Sequence, residues 1–316
     1  MNLHKDIEHL PQFNKAVITI GTFDGVHEGH QKIIAQLKTE AKKIGGETVI
    51  ITFHPHPRKI VHAGEEVRLI TTIEERIELL SAAGIDHLVI VPFTREFSEL
   101  EPRDYVETFL TKRFNPAVVI IGYDHKFGKG RKGDYKLLEE YSAKGFFTLK
   151  EIPQHVINDS TVSSTRIRDY IQNGEIGNAN SLLGYEFNFE GLVVKGDQRG
   201  RTIGFPTANL ELTNEEKIVP DNGVYAVTVS LTPDASRLTL KGMMNIGIRP
   251  TVNGTKKTIE VNIFNFSEDI YGKKIRVHIR SFLRKEKKFS GVDELRSQLE
   301  KDFTAANVIL NEGSAE

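Results

Sequence analysis

The chain has 316 residues, of which 39% are hydrophobic and 27% charged, and its formal net charge is −1. That length suits two domains and that balance an ordinary globular protein, while so small a net charge provides no global field to recruit nucleic acid or an anionic membrane. Cysteine is absent, which excludes disulfides, thiolate metal sites and a cysteine nucleophile, and no run approaches the about 18 apolar residues of a membrane helix, so a cytoplasmic protein is expected.

The first residues, Met1 to Asn14, carry charges and a proline but no apolar signal core. From there to about residue 183 short apolar runs alternate with helical spacing. Strands are predicted at 16–21, 48–53, 87–92, 117–121 and 146–151, and helices at 31–44, 72–83, 102–114 and 135–143, with Ile73, Ile77 and Leu80 on one face. Strand–helix–strand repetition implies a parallel sheet with helices on both sides. A loop at Pro153 to Asp159 and two short helices, Ser163 to Gln172 and Glu175 to Leu183, follow, with Gly174 and Gly184 as their C-terminal stops.

Near Tyr185 the period changes, giving domains of 1–184 and 185–316. Phe187 to Val194, Tyr225 to Leu231, Leu238 to Asn245, Thr258 to Phe264 and Lys274 to Phe282 alternate or are β-branched, as in a small antiparallel barrel or sandwich. A closing helix is predicted, with Ser290 and Asp293 as its capping box, Val292, Leu295 and Leu299 as its buried stripe, and Asn311 to Glu316 as a frayed end.

The first stretch with chemistry is Gly21-Thr22-Phe23-Asp24-Gly25-Val26-His27-Glu28-Gly29-His30, which leads from a strand into a helix. Ligands bind outside the carboxyl ends of strands in open α/β sheets, and a helix start adds free N–H donors, so an anion is the expected ligand. Two imidazoles three residues apart, with Gly29 between them, suit a phosphate; a solvated helix face explains a bare His-x-x-His equally well. His54, His56 and His62 raise a metal reading, which ranks below the anion site without a His-Glu-x-x-His or a cysteine. Ser163 to Arg168 brings hydroxyls and arginine to a second helix start, a phosphate signature beside a first phosphate site and otherwise an ordinary cap.

Gly21 to His30 resembles the motif of the HxGH nucleotidyltransferases. With Thr52-Phe53-His54-Pro55-His56-Pro57, Phe127-Gly128-Lys129-Gly130 and Ser163 to Arg168, residues 15–183 resemble the FMN adenylyltransferase module of bacterial bifunctional riboflavin kinase/FAD synthetases. The resemblance implies a Rossmann-like nucleotidyltransferase domain. In it Gly21, Phe23, Asp24, His27 and His30 meet ATP, Ser163, Thr165 and Arg168 hold the departing pyrophosphate, and His56, Pro57 and Asp124 border nucleotide or flavin. The implied reaction is attack of the FMN phosphate on the ATP α-phosphorus with Mg²⁺ assisting, which needs alignment and charge neutralisation rather than a covalent nucleophile. The chain departs from the family in reading Gly122-Tyr123-Asp124-His125-Lys126 before Phe127-Gly128.

In the second half, Gly196 to Asn209 is glycine-rich and basic, fit to cradle phosphates and equally fit as a long hairpin turn; no Walker A pattern occurs. Its Gly204-Phe205-Pro206-Thr207-Ala208-Asn209, with Asn222-Gly223-Val224-Tyr225, Asn245 to Thr251 and Phe282 to Phe303, resembles the riboflavin kinase family over 185–303. That implies a six-stranded flavokinase barrel in which Gly196, Gly204, Thr207 and Asn209 bind ATP, Thr207 and Asn209 also holding Mg²⁺. Glu260 falls at the family's catalytic glutamate, with Asn262 and Asn265 where the family commonly has His and Asp; by alternation alone Glu260 is an outward strand residue. The basic run Lys273 to Lys288 is read as a solvated strand face, and nucleic-acid binding finds no aromatic stacking series.

The resemblance thus implies a bifunctional enzyme that phosphorylates riboflavin to FMN and adenylylates FMN to FAD. Its partners are riboflavin, FMN and ATP, with neither nucleic acid nor membrane. An adenylyltransferase with a silent flavin-binding barrel and a non-catalytic flavin-binding protein are the alternatives.

Overall fold

The structure is a computed structural model that describes residues 1–62, 64, 66–122, 124–152, 162–196, 199–231, 239–251 and 254–312. The predicted loop at Pro153 to Asp159 lies outside the described residues. The chain forms two compact units, Met1–Ser164 and Thr165–Glu316.

The first unit is a parallel six-stranded sheet: β1 (Asn2–His4), β2 (Val17–Ile20), β3 (Thr48–His54), β4 (His87–Pro92), β5 (Val118–Ile121) and β6 (Thr148–Glu151), in the spatial order β1-β4-β3-β2-β5-β6. Adjacent side chains go to opposite layers. Ile18, Ile51, Val89 and Val119 pack with Val106, Phe109, Leu138 and Tyr141 on one face, whereas Val17, Ile50, Leu88 and Ile120 pack with Ile34, Leu37 and Leu80 on the other. Strands buried on both faces read as continuous apolar runs, which is why they were legible.

Other elements answer to tertiary contacts. β1 is a short polar segment that pairs with β4 in parallel, and a sequence window without an apolar run gives no sign of it. The predicted helix at 102–114 is broken by a π-helical stretch, Tyr105–Thr111, between short α-helical pieces Pro102–Asp104 and Lys112–Phe114. Its buried Tyr105, Val106, Phe109 and Leu110 face the core. The pattern shows which face is buried but not the extra residue per turn.

The second unit is a closed antiparallel barrel of β7 (Asn188–Val194), β8 (Ala208–Leu212), β9 (Gly223–Ser230), β10 (Thr239–Thr251), β11 (Gly254–Ile263) and β12 (Lys274–Arg284), in the order β10-β11-β8-β7-β12-β9. The Ile176–Leu183 helix joins it: Asn180 donates to the Ile279 carbonyl at 2.9 Å and accepts the Phe187 N–H at 2.7 Å. Gly184 ends that helix in the left-handed region, φ 76, where glycine carries no Cβ penalty.

The closing helix spans Val292–Glu312. Its expected details change. Glu294, not Asp293, closes the start by accepting the Ser290 N–H and hydroxyl at 2.9 and 2.8 Å. Val292 is exposed, and the stripe that meets the barrel is Leu299, Phe303, Ala306 and Leu310, against Ala226, Met243 and Phe264. Asn311 and Glu312 remain helical, and the rest of the expected frayed end lies outside the described residues. Asp302, buried in the same helix, takes a two-pronged bond from Arg284 of β12, Nε to Oδ1 at 2.9 Å and Nη2 to Oδ2 at 2.7 Å. Among the described residues no helix is long and apolar enough to cross a membrane.

Candidate active sites

In the sheet unit the strand order reverses between β2 and β5, since β3 and β4 extend to one side of β2 and β5 and β6 to the other. Such a switch point opens a crevice at the carboxyl ends of the strands. The Gly21–His30 turn leaves β2 there and the Gly122–Gly133 loop leaves β5.

The turn is held tightly. Phe23, Gly25 and Val26 have φ of 50, 86 and 36°, conformations that cost energy for the two side-chain-bearing residues and persist only when their surroundings enforce them. The enforcing group is Asp24. Its carboxylate is fully enclosed and accepts the Thr71 N–H at 2.9 Å, the Thr71 hydroxyl at 3.1 Å and the Ile70 N–H at 3.2 Å. Thr71 Oγ1 in turn accepts the Gly25 N–H at 2.9 Å. Arg76, 2% exposed, stands 3.8 Å from Asp24.

His27 is the N-cap of the helix Glu28–Ile44, which starts three residues earlier than predicted, and its Nδ1 accepts the His30 N–H at 3.4 Å. The two imidazoles stack at 3.7 Å, and Phe23 lies 4.8 Å behind His30. Burial, then the charges of His27 and Arg76, hold the His30 imidazole well below its ordinary range, so it is neutral at pH 7. Its Nδ1 is buried with no hydrogen-bond partner. Ser164, at the start of the Ser164–Gln172 helix, donates from its hydroxyl to the Asp24 carbonyl at 3.0 Å. That brings the Ser163 motif to the histidine turn within one unit, through a residue that the motif contains but that was not singled out. Thr165 and Arg168 follow in the second unit.

The other predicted residues fall into place differently. His56 is buried as the N-cap of the short helix Pro57–Val61, its Nδ1 accepting the Arg58 N–H at 3.2 Å, and Pro57 is that helix's first residue. Asp124 is exposed in the loop after β5. Beside it, burial lowers His125 to about 4, its Nε2 has no hydrogen-bond partner, and its ring leans on Phe127 at 5.9 Å. Tyr123 lies outside the described residues. No group of three or more metal-ligating side chains occurs among the described residues, so the histidines of 54–62 form no such cluster.

In the barrel, strand register builds the site. Glu260 of β11 stands directly opposite Asn209 of β8 on one side and Asn245 of β10 on the other, and residues in register share a face. Ile259, Val261 and Ile263 are buried on the opposite face. Asn262 donates to the Pro206 carbonyl at 2.6 Å, which anchors the loop carrying Thr207 beside the row. Asn265 occupies the left-handed region at φ 53, which asparagine tolerates. Glycines clear the space: a Cβ on Gly196 would strike the Asn209 amide, and one on Gly200 the Phe205 carbonyl. Gly204 has φ 85. The glycine-rich stretch is no plain hairpin turn, because it contains a short helix, Arg199–Thr202, before β8. Half of the eight cations of the basic run are paired with carboxylates: Arg276 with Glu190, Arg280 with Glu186, Arg284 with Asp302 and Lys287 with Glu294.

Comparison with known proteins matches residues 10–166 to the FAD synthetase family and residues 183–310 to the riboflavin kinase family. A relative described as the bifunctional riboflavin kinase/FMN adenylyltransferase of Bacillus subtilis is 38% identical over 91% of this chain and 90% of its own length. The protein of that description from Escherichia coli is 34% identical over 97% of each. The chain belongs to the bifunctional riboflavin kinase/FMN adenylyltransferase family. A solved structure described as a macrolide-efflux protein from Streptococcus pneumoniae shares the fold, with 29% identity, a TM-score of 0.82 and coverage of 97% of this chain and 98% of that one. Both family modules are present in the order in which their motifs occur.

Proposed function

We propose that the chain makes FAD from riboflavin in two steps, each in its own module, with residues 1–184 serving adenylyl transfer and 185–316 the kinase step. In the barrel the riboflavin 5′-hydroxyl attacks the γ-phosphorus of ATP, Glu260 takes the hydroxyl proton, and FMN and ADP leave. A carboxylate beside the nucleophile suits general-base work, and the Asn209–Glu260–Asn245 row carries this assignment.

The oxygen donors of Thr207 and Asn209, next to the Glu260 carboxylate, fit Mg²⁺, which prefers oxygen and fills its remaining positions with water and phosphate. When bound there it would neutralise phosphate charge.

In the sheet unit a phosphate oxygen of FMN attacks the α-phosphorus of ATP, forming the anhydride and releasing pyrophosphate. His27 and His30 donate hydrogen bonds toward the α-phosphate, and Ser163 receives the leaving pyrophosphate, a role that the resemblance also gives to Thr165 and Arg168. Gly21 and Phe23 line the turn, while the enclosed Asp24 serves by shaping it. The His56–Pro57 segment and Asp124 border the nucleotide or flavin. A cytoplasmic setting supplies the ATP for both steps.

Purified protein incubated with riboflavin and MgATP, with flavins separated by chromatography, tests the reading. FMN should appear first and FAD after it. No FMN and no FAD at any magnesium concentration would sink both activities. Flavin retained without ATP consumption would favour a binding protein instead.

A further inference from the structure

Arg76 lies outside every motif that carries the resemblance, yet it occupies the space beneath the histidine turn. It belongs to the helix Ile73–Ala82, whose start is fixed by a capping box: Glu75 accepts the Thr72 N–H at 2.9 Å and Thr72 Oγ1 accepts the Glu75 N–H at 3.2 Å. From there the buried guanidinium reaches three ways. Nη1 donates to Thr52 Oγ1 at 3.4 Å, Nη2 to the Thr71 carbonyl at 3.5 Å, and Nη2 stands 3.8 Å from Asp24 Oδ1. Thr52 Oγ1 passes the connection on by donating to the Thr22 carbonyl at 3.1 Å. Both flanks of the Gly21–Gly25 turn are thus tied to one side chain, directly at Asp24 and through Thr52 at Thr22.

A buried charge acts over a longer reach than a surface one because little water screens it. The Asp24 carboxylate stands 3.8 Å from the guanidinium and accepts three further hydrogen bonds, so charge and turn are enclosed together.

We propose that Arg76 is a positioning residue for adenylyl transfer, which holds the phosphate-binding turn through Asp24 and Thr52 and lends its enclosed charge to the pocket that receives the ATP phosphates. The assignment rests on the adenylyl-transfer function of the sheet unit. The state of His30 agrees with it: His27 stacks on this imidazole, the Phe23 ring lies 4.8 Å from it, and after burial it is the His27 and Arg76 charges that hold it below its ordinary range. His54 feels the same guanidinium.

The test compares the full-length chain with Arg76→Met and Arg76→Lys, measuring FAD formation from FMN and MgATP across pH and riboflavin kinase activity in the same preparations. With Met, kcat for FAD should fall about 10- to 100-fold, as for a reacting group displaced by a fraction of an ångström. The acid limb of the rate profile should move to higher pH, because His30 has lost a neighbouring cation. Lysine keeps the charge but lacks the fork that reaches Asp24 and Thr52 together. It should restore the acid limb while recovering only part of kcat. Kinase rates should stay within about twofold of the parent chain, which confirms equal amounts of folded protein. An acid limb that stays in place with Met would leave Arg76 a purely structural residue and overturn the proposal, as would an undiminished kcat. If Met prevents folding, a Lys variant with the parent's full kcat contradicts the brace by itself. Absence of FAD from the parent chain would overturn the functional reading and this assignment together, whereas FAD formation indifferent to Arg76 overturns the assignment alone.

Discussion

The two candidate sites, each proposed to hold ATP phosphates beside a flavin, are built with different local physics. The sheet unit builds its site on a strained turn whose groups are mostly buried: the Asp24–Arg76 pair, the stacked His27 and His30, and imidazole nitrogens of His30 and His125 left without partners. The barrel builds its site on register, with Asn209, Glu260 and Asn245 in one row and glycines removing obstruction. A turn-built site spends its motif residues on its own shape, so Asp24 faces inward. A strand-built site leaves every second residue for the ligand while the alternate ones make the core.

Breaking each site separately gives the largest expected effects. Glu260→Gln should lower FMN formation by about 10²- to 10⁴-fold, the usual worth of a general base, while FAD formation from added FMN stays unchanged. His30→Ala should lower FAD formation by about 10²- to 10³-fold, as for the loss of one donor to a developing charge, with the kinase rate intact. Steady-state assays of the two half-reactions, run in parallel, measure both.

Stability should separate the units as well. Asp24→Ala leaves the Arg76 guanidinium buried without its carboxylate and should cost the sheet unit ~3–5 kcal/mol. Asp302→Ala leaves the less deeply buried Arg284 of the barrel without its carboxylate and should cost less, ~1–3 kcal/mol. Thermal melts of the full chain, with each activity followed as a reporter of its own unit, distinguish the two losses.

The smallest effect is a pH dependence. His30 and His125 are held below the ordinary 6.5 in the folded sheet unit, His125 at about 4, chiefly by burial. The unfolded chain therefore binds protons that the folded unit does not, and stability present above about pH 6.5 declines as pH falls, by ~1–3 kcal/mol near pH 4. The barrel contains one such imidazole among the described groups, His278. As pH falls toward 4, thermal melts should therefore show the sheet unit losing more stability than the barrel; a larger loss in the barrel would contradict the contrast.

How much was legible in the sequence follows the same division. β2 to β5 announced themselves because their apolar residues serve two layers, and the change of period near Tyr185 announced the barrel. β8 was hidden although Leu210 and Leu212 alternate with Asn209 and Glu211, because the glycine-rich motif before it absorbed its first residues. β1 depends on pairing with β4, and the π-helical stretch on packing of Tyr105 and Phe109, neither of which a local window contains. The motifs marked both candidate sites. They did not show that His56 caps a helix, that Asn262 anchors Pro206, or that Arg76, about 50 residues along the chain from the turn, sits beneath it.

The central claim is that one chain holds two independent sites acting in sequence. Its most direct test is a time course of riboflavin with MgATP and the His30→Ala chain, with flavins separated by chromatography. The account predicts that FMN accumulates at the parent rate and that FAD stays near background. Loss of FMN formation in that folded variant, or FAD made at the parent rate, would contradict it.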